Sequence, residues 1–172
     1  GLISMVPVIL YPLAKRVTDY PQAVLGLTFN FGALIGWVAV SGQFQWPMVL
    51  LYLGCIAWTF GYDTVYAHQD KTDDAIVGVR STALKFGDGS KRAIRISYFL
   101  AALFWFFCLF FMGFSVSFFI CLLGLLVVTG RMMLQVQRTD LDDPADSLRT
   151  FKGEQITGWL LGLFLLAGWV TL

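Results

Sequence analysis

Charged residues are scarce in this sequence. Only 13% of its 172 residues are Asp, Glu, Lys or Arg, about half of the roughly 25% typical of a soluble domain. By contrast, 58% of the residues are hydrophobic and 16% are aromatic, and the mean hydropathy is +0.72. This apolar excess is too large for one globular core, so the sequence predicts a protein embedded in a lipid bilayer.

Cysteine and histidine are also rare. The three cysteines lie in apolar runs, and none stands at metal-ligand spacing from another cysteine or from His68, the single histidine. We therefore interpret them as small hydrophobic residues and predict neither a disulfide framework nor a zinc site. The net charge of +1 by itself argues neither for nor against binding of nucleic acid. Because of where the charges lie, described below, we expect no nucleic-acid partner.

The beginning of the sequence lacks the features of a signal peptide. It reads Gly1-Leu2-Ile3-Ser4, without a basic segment or a cleavage site. Its first apolar run ends at Ala14, which is too short to cross a hydrocarbon core about 30 Å thick. We expect a first helix that is cut, with further sequence upstream of it.

Long uncharged stretches predict five further spans. No charge occurs from Tyr20 to Tyr62, where turn-forming residues at 41–47 divide the stretch into spans near 22–40 and 47–63. A second uncharged stretch, 96–130, has a predicted bend at 113–115 and gives spans near 94–112 and 115–130. Residues 155–172 form the last predicted span. Backbone pairing within each span requires helices, so the predicted fold is an all-α transmembrane bundle of about six helices, the first truncated.

All twelve basic residues and all eleven acidic residues fall in three connections, and the two alternate connections carry none. The positive-inside rule places the charged connections in the cytoplasm. Control of topology does not account for the acids, which contribute little to orientation. The sequence does not separate a bacterial from a mitochondrial inner membrane; we expect the bacterial one.

The second charged connection contains a cluster of aspartates. If the preceding helix continues through it, Asp63, Asp70 and Asp74 lie within about 40° of one another on its surface, with Asp73 about 80° to one side. Like charges four residues apart destabilise an isolated helix, so the stripe calls for a cation. Clustered carboxylates suit Mg²⁺, which often bridges protein carboxylates to substrate phosphates.

Cationic and hydroxyl side chains follow the acids, at Arg80, Ser81, Thr82 and Lys85. Such groups are suitable partners for a diphosphate. The alternative is a solvated acidic loop that Lys71, Arg80 and Lys85 neutralise.

Two segments resemble a known family. Residues 62–87, YDTVYAHQDKTDDAIVGVRSTALKFG, resemble the second aspartate-rich region of the UbiA prenyltransferase superfamily. Residues 11–32, YPLAKRVTDYPQAVLGLTFNFG, are similar to its branch that prenylates 4-hydroxybenzoate in ubiquinone synthesis. The likeness is continuous from about residue 11 to 95 and mostly hydropathic afterwards.

The resemblance implies nine helices around a central cavity, with two aspartate-rich loops at its mouth. Residues 1–172 would form the C-terminal part of that single domain, from part of helix four to helix nine. The family's first aspartate-rich region, NDxxDxxxD, has no counterpart here. The implied reaction transfers a polyprenyl group from its diphosphate to the carbon of 4-hydroxybenzoate ortho to the hydroxyl, with Mg²⁺ as cofactor.

The same resemblance assigns site residues. Asp70 and Asp74 match the second DxxxD pair and become catalytic and metal-binding residues, while the helical stripe described above adds Asp63 as a further metal ligand. Arg80 replaces the family's usual lysine, which keeps the charge and changes its geometry. We also expect Lys71 and Tyr66 to contact substrate; the alternative for Tyr66 is an ordinary tyrosine at the membrane interface.

Arg16 has two interpretations. As part of Lys15-Arg16 it could set topology and contact lipid headgroups, whereas a guanidinium also matches a carboxylate bidentately. The family's corresponding arginine, in YPxxKR, is thought to face the aromatic acid, which favours the second interpretation.

Two other polar residues are interpreted as structural. His68 lies about 140° from the acidic stripe on a helical wheel, which favours packing or hydrogen bonding over metal binding. In the third connection we predict Asp143 as the N-cap of a helix, with Pro144 at its first position and Asp146 in its first turn.

Two other functions compete with this prediction. One is another aromatic prenyltransferase of the family, from the menaquinone, haem O or tocopherol branch. The other is a small transporter or channel with a divalent-cation site, which would place charges inside spans or at both mouths. The one-sided charges disfavour it.

Overall fold

The computed structural model describes residues 4–113 and 115–170, except for the side chains of Leu10, Pro12 and Trp169. Every regular element in these ranges is helical. A 3₁₀ turn, Gly87–Gly89, precedes the seventh helix. In chain order the helices are α1 (Met5–Val17), α2 (Pro21–Phe29), α3 (Phe31–Ser41), α4 (Trp46–Gln69), α5 (Lys71–Val77), α6 (Thr82–Phe86), α7 (Ser90–Met112), α8 (Val116–Arg138) and α9 (Pro144–Val170).

Four helical segments in the described ranges are long and apolar enough to cross a membrane, which confirms the prediction of a transmembrane bundle. They are Pro21–Ser41, Trp46–Gln69, Thr82–Met112 and Val116–Arg138. The remaining two predicted spans correspond to α1 and α9, which are not among the four. The predicted start at residues 1–3 and the predicted end at residues 171–172 lie outside the described residues.

Turn and capping chemistry sets the ends of the helices. α3 ends at Gly42, whose φ of 69° favours glycine, and α4 begins at Trp46 with a proline in its first turn. Ser115 accepts a hydrogen bond from the Phe118 amide, 3.3 Å, and caps α8. Both predicted bends are therefore present, although Phe114 lies outside the described residues.

The predicted span 22–40 is divided. Asn30 separates α2 from α3, and its side-chain amide donates to the Gly26 carbonyl and to the Thr59 hydroxyl, each at 2.8 Å. The amide thus satisfies a carbonyl at the end of α2 and connects the break to α4. Hydropathy cannot reveal this break, because the residues on both sides of Asn30 are apolar.

The charged connections are shorter than predicted. α8 continues to Arg138 and α9 begins at Pro144, so the third connection contains only residues 139–143. Arg131 and Glu154, which the sequence places in that connection, lie on facing helices instead. Partner groups on neighbouring helices allow these charges to enter the bundle.

α4 lies at the centre of the bundle and contacts α2, α3, α7 and α9. Its closest neighbour is α7, and the two approach at Gly54 and Gly61. A Cβ atom at Gly54 would collide with the ring of Trp105, and one at Gly61 would collide with Tyr98. Small residues permit such close helix contacts in membranes.

One end of the bundle collects the polar connections. It comprises the last turns of α1 and α4, the short helices α5 and α6, and the connections 18–20 and 139–143. We call it the polar end. The apolar core extends from the polar end into the bundle, around Val65, Ile94, Tyr98, Val128 and Met132.

Candidate active site

The aspartate cluster lies at the polar end, on two helices instead of one. α4 ends at Gln69, and Asp70 has φ −96° and ψ 3° before α5 begins at Lys71. The assumption of one continuous helix is therefore wrong. The Asp74 amide still donates to the Asp70 carbonyl at 2.8 Å, so the change of direction keeps these two residues about one turn apart.

Asp74 is the buried member of the cluster. Only 7% of the residue is exposed, and its Oδ1 lies 3.3 Å from Nζ of Lys15 on α1. Its Oδ2 is buried and has no hydrogen-bond partner among the described residues. A buried polar atom without a partner is costly, so this oxygen is available for a ligand.

Asp63 belongs to the same electrostatic group. The charges of Lys15 and Asp70 both act on its carboxyl group. Asp73, in contrast, is exposed. The structure thus brings together three of the predicted acids and Lys15, a lysine that the sequence did not single out as a site residue.

Arg80 and Lys85 converge on an acid that the sequence analysis did not select. Nε of Arg80 lies 3.7 Å from Oδ1 of Asp19, and Nζ of Lys85 lies 3.3 Å from its Oδ2. The Arg80 amide also donates to the Lys15 carbonyl at 2.9 Å. These contacts hold the connection after α5 beside the end of α1.

The two hydroxyls expected beside a diphosphate have structural roles. Ser81 accepts a hydrogen bond from the Leu84 amide, 3.4 Å, and caps α6. Thr82 donates to the Thr64 hydroxyl at 2.9 Å. Both residues are buried.

The Lys71 side chain pairs with an acid outside the cluster of Asp63, Asp70 and Asp74. Its Nζ is 3.8 Å from Oδ1 of Asp142, in the connection between α8 and α9. The ring of Tyr66 contacts Phe151 of α9, with centroids 4.7 Å apart. Arg16 is exposed at the end of α1. Their predicted roles towards substrate stay predictions.

Two structural predictions are confirmed. Nδ1 of His68, a residue 4% exposed, lies 3.1 Å from the Leu141 carbonyl, consistent with hydrogen bonding in the interior. Asp143 accepts from the Ala145 amide at 2.9 Å, one residue after Pro144 starts α9. Asp146 lies in the first turn.

The carboxylates fit a hard cation in their chemistry. Within residues 4–113 and 115–170, no group of three or more His, Cys, Asp or Glu side chains is arranged to hold a metal ion. Oxygen donors are nevertheless the ligands that Mg²⁺ takes, and Oδ2 of Asp74 is unpaired. Because Mg²⁺ usually keeps several waters and binds one or two carboxylates plus substrate phosphates, fewer than three protein ligands suffice.

A buried polar network beneath the site was missed by the sequence analysis. Glu154, the single glutamate of the chain, accepts hydrogen bonds from Nε1 of Trp58 at 2.9 Å and from the Tyr98 hydroxyl at 3.2 Å. Arg131 acts on it electrostatically and donates to the Thr157 hydroxyl and the Gly153 carbonyl. The only signal in the sequence is a lone acid at the start of an apolar run.

Comparisons with known proteins agree with this architecture. The model of the UbiA prenyltransferase family matches residues 1–161. Mitochondrial 4-hydroxybenzoate polyprenyltransferase of Schizosaccharomyces pombe is 40% identical over 179 residues, covering 99% of this chain and 48% of the relative. The Arabidopsis thaliana protein of that name is 44% identical, covering 94% of this chain and 39% of the relative.

A solved structure has the same fold. A UbiA homolog from Aeropyrum pernix K1 superposes with a TM-score of 0.72 at 20% identity, covering 96% of this chain and 61% of its own. This chain spans about half the length, or less, of the curated relatives it matches. The family match over most of the sequence and the shared helical fold lead to one conclusion: the chain belongs to the UbiA prenyltransferase family.

Proposed function

We propose that this chain takes part in the transfer of a polyprenyl group from a polyprenyl diphosphate to 4-hydroxybenzoate, at the carbon ortho to the hydroxyl. The relatives that cover nearly all of it are named for that reaction. We further propose that residues 1–172 form the C-terminal part of the enzyme and that a first aspartate-rich segment completes the site.

The observation that carries the proposal is the environment of Asp74. A buried carboxylate with one unpaired oxygen lies beside Lys15, near Asp70 and Asp63. A solvated acidic loop, the alternative, would expose its acids to water. Asp70 and Asp74, with Asp63, would hold Mg²⁺, which stabilises the charge that develops on departing diphosphate.

The remaining cations act on the diphosphate and the acceptor. Arg80 and Lys85 would exchange Asp19 for diphosphate oxygens, with which charge-assisted hydrogen bonds are strong. Arg16 would bind the carboxylate of the aromatic acid. The allylic carbon then bonds to the ring carbon as its bond to diphosphate oxygen breaks, and the ring proton passes to a carboxylate or to the released diphosphate, which restores aromaticity.

Location is part of the proposal. The names of the relatives favour a mitochondrial inner membrane over the bacterial inner membrane that the sequence analysis favoured. The polar end would face the matrix in the first case and the cytoplasm in the second.

The test replaces carboxylates one at a time in the protein assembled with its aspartate-rich partner segment. Asp70→Asn and Asp74→Asn should each abolish Mg²⁺-dependent prenylation while insertion and helix content are kept. Asp73→Asn is the matched control, because Asp73 is adjacent and exposed, and it should retain activity. Near-normal turnover of both Asp70→Asn and Asp74→Asn would restore the solvated-loop interpretation.

A further inference from the structure

A groove between α8 and α9 opens on the side of the bundle. Its volume is about 810 Å³. Its wall changes in character along α8. Leu126 and Val127, towards the middle of that helix, and Leu134, nearer its end, line the groove and are exposed by 63%, 44% and 52%. Arg138 and Arg149 line it at the polar end, whereas Arg131 lies between Val127 and Leu134 in the chain and is bonded to α9.

The charges in the groove do not cancel. Arg131 is engaged by Thr157 and Gly153 and lies within electrostatic range of Glu154. Arg138 is exposed in the last turn of α8, and the Arg149 side chain is 76% exposed.

Among the described residues that line the groove, Asp146 carries the single carboxylate. It lies 3.4 Å from Arg149 and accepts a hydrogen bond from the Asp140 amide. Arg138 and Arg149 together therefore exceed it by one positive charge.

Neighbouring acids do not remove this surplus from the groove. The Asp140 carboxylate accepts from the Asp142 amide, Asp142 is paired with Lys71, and Asp143 accepts from an amide at the start of α9. None of the three lines the groove. The surplus equals the single negative charge of a phosphodiester.

We propose that this groove binds an anionic phospholipid. Its phosphodiester lies between Arg138 and Arg149, and one acyl chain follows Leu134, Val127 and Leu126 along α8. From residue 138 to residue 126 the helix rises about 18 Å, close to the roughly 15 Å depth of one leaflet's hydrocarbon. Basic pockets between transmembrane helices on the matrix or cytoplasmic side bind such headgroups.

Other occupants fit the groove less well. An apolar transmembrane helix seated there would bury two guanidiniums that no acid of its own matches, which is costly inside a membrane. A free phosphate would leave the apolar half of the groove without a function. A molecule with an anionic head and a hydrocarbon tail matches both halves, and the surplus of one positive charge fits the phosphodiester of a phospholipid better than the more highly charged head of a prenyl diphosphate.

The experiment measures lipid retention by native mass spectrometry of the detergent-purified, delipidated protein. Phosphatidylglycerol and phosphatidylcholine with identical acyl chains are the two probes. The protein should retain phosphatidylglycerol preferentially, and Arg138→Gln with Arg149→Gln should weaken that binding about 30-fold, since each interfacial cation contributes to attraction of anionic lipid. The control pair, Arg92→Gln with Lys152→Gln, removes two exposed cations outside the groove and should change binding less than twofold.

Three results would overturn the proposal: equal retention of the two lipids, an equal loss in the control pair, or displacement of the lipid by inorganic diphosphate, which would mark a site for free phosphate. Circular dichroism checks that each variant is folded. If the double Gln variant does not fold, the test uses Arg149→Glu with Lys152→Glu as its control, because both replace exposed side chains of α9. Only Arg149→Glu should abolish the preference for phosphatidylglycerol.

Discussion

Replacement of Glu154 by leucine should destabilise the bundle strongly. Glu154 is 6% exposed, and its two oxygens accept from different helices, Trp58 on α4 and Tyr98 on α7. Leucine fills a similar volume and accepts nothing. Two donors would lose their partner, and Arg131 would lose the nearby negative charge.

The magnitude follows from these three losses. An unsatisfied buried donor costs about 1–3 kcal/mol in water-soluble proteins, whereas hydrogen bonds between membrane helices average about 0.6 kcal/mol and reach about 1.7. We take about 1 kcal/mol for each donor. Breaking a fully buried ion pair costs about 3–5 kcal/mol. Because Arg131 is only half-buried and keeps its other partners, we take a cost of about 1 kcal/mol for its loss of the nearby charge. We expect Glu154→Leu to lower the free energy of unfolding by about 3 kcal/mol.

The assay is thermal unfolding in detergent, followed by the reaction of buried Cys108 with a thiol-specific fluorophore. A loss of 3 kcal/mol corresponds to a fall in Tm of about 6–12 °C for a chain of this size. Glu154→Gln should fall between wild type and Glu154→Leu, because one amide oxygen cannot serve both donors. Gln155→Leu, at the exposed neighbouring position, is the matched control and should leave Tm unchanged.

A double-mutant cycle separates the network from simple packing. Tyr98→Phe should cost about 1 kcal/mol in the wild type and almost nothing in the Glu154→Leu background, because its hydrogen-bond partner is then already absent. A fall in Tm no larger than that of Gln155→Leu, or additive effects of the two substitutions, would refute the reasoning.

Three further predictions concern the polar end. Asp19→Asn should strengthen the binding of inorganic diphosphate about fivefold in titration calorimetry, because the two exposed ion pairs that compete for Arg80 and Lys85 contribute about 1 kcal/mol together. The control Asp88→Asn, which replaces an exposed acid nearby, should not change this binding. Weaker binding by Asp19→Asn would contradict the proposed replacement of Asp19 by diphosphate. Arg16→Ala should raise KM for 4-hydroxybenzoate at least tenfold, the loss expected for a hydrogen bond to a charged group, with a smaller change for the prenyl diphosphate; equal changes would indicate a role in folding. Cysteines introduced at positions 72 and 43 should be labelled from opposite faces of the membrane, and labelling of both from one face would invalidate the topology.

Much of the fold follows from local chemistry. Apolar runs are long enough to identify four spans, and the turn residues at 41–47 and around Ser115 mark their ends because they act within one helical turn. The cap at Asp143 and Pro144 is predictable for the same reason. The aspartates at 63, 70 and 74 are recognisable as a group, since their spacing alone places them near one end of a helix.

Other features depend on residues distant in the sequence. Lys15 reaches Asp74 across 59 positions, Lys85 reaches Asp19 across 66, and Trp58 reaches Glu154 across 96. No local pattern selects these partners, because which helices become neighbours depends on contacts such as those at Gly54 and Gly61. Hydropathy treats Glu154 and Arg131 as the border of a span, whereas packing places them inside the bundle, where each offsets the cost of burying the other. The sequence thus identifies which groups are present at the membrane surface, and the packing of the helices decides which of them are paired and which oxygen of Asp74 is left for a ligand.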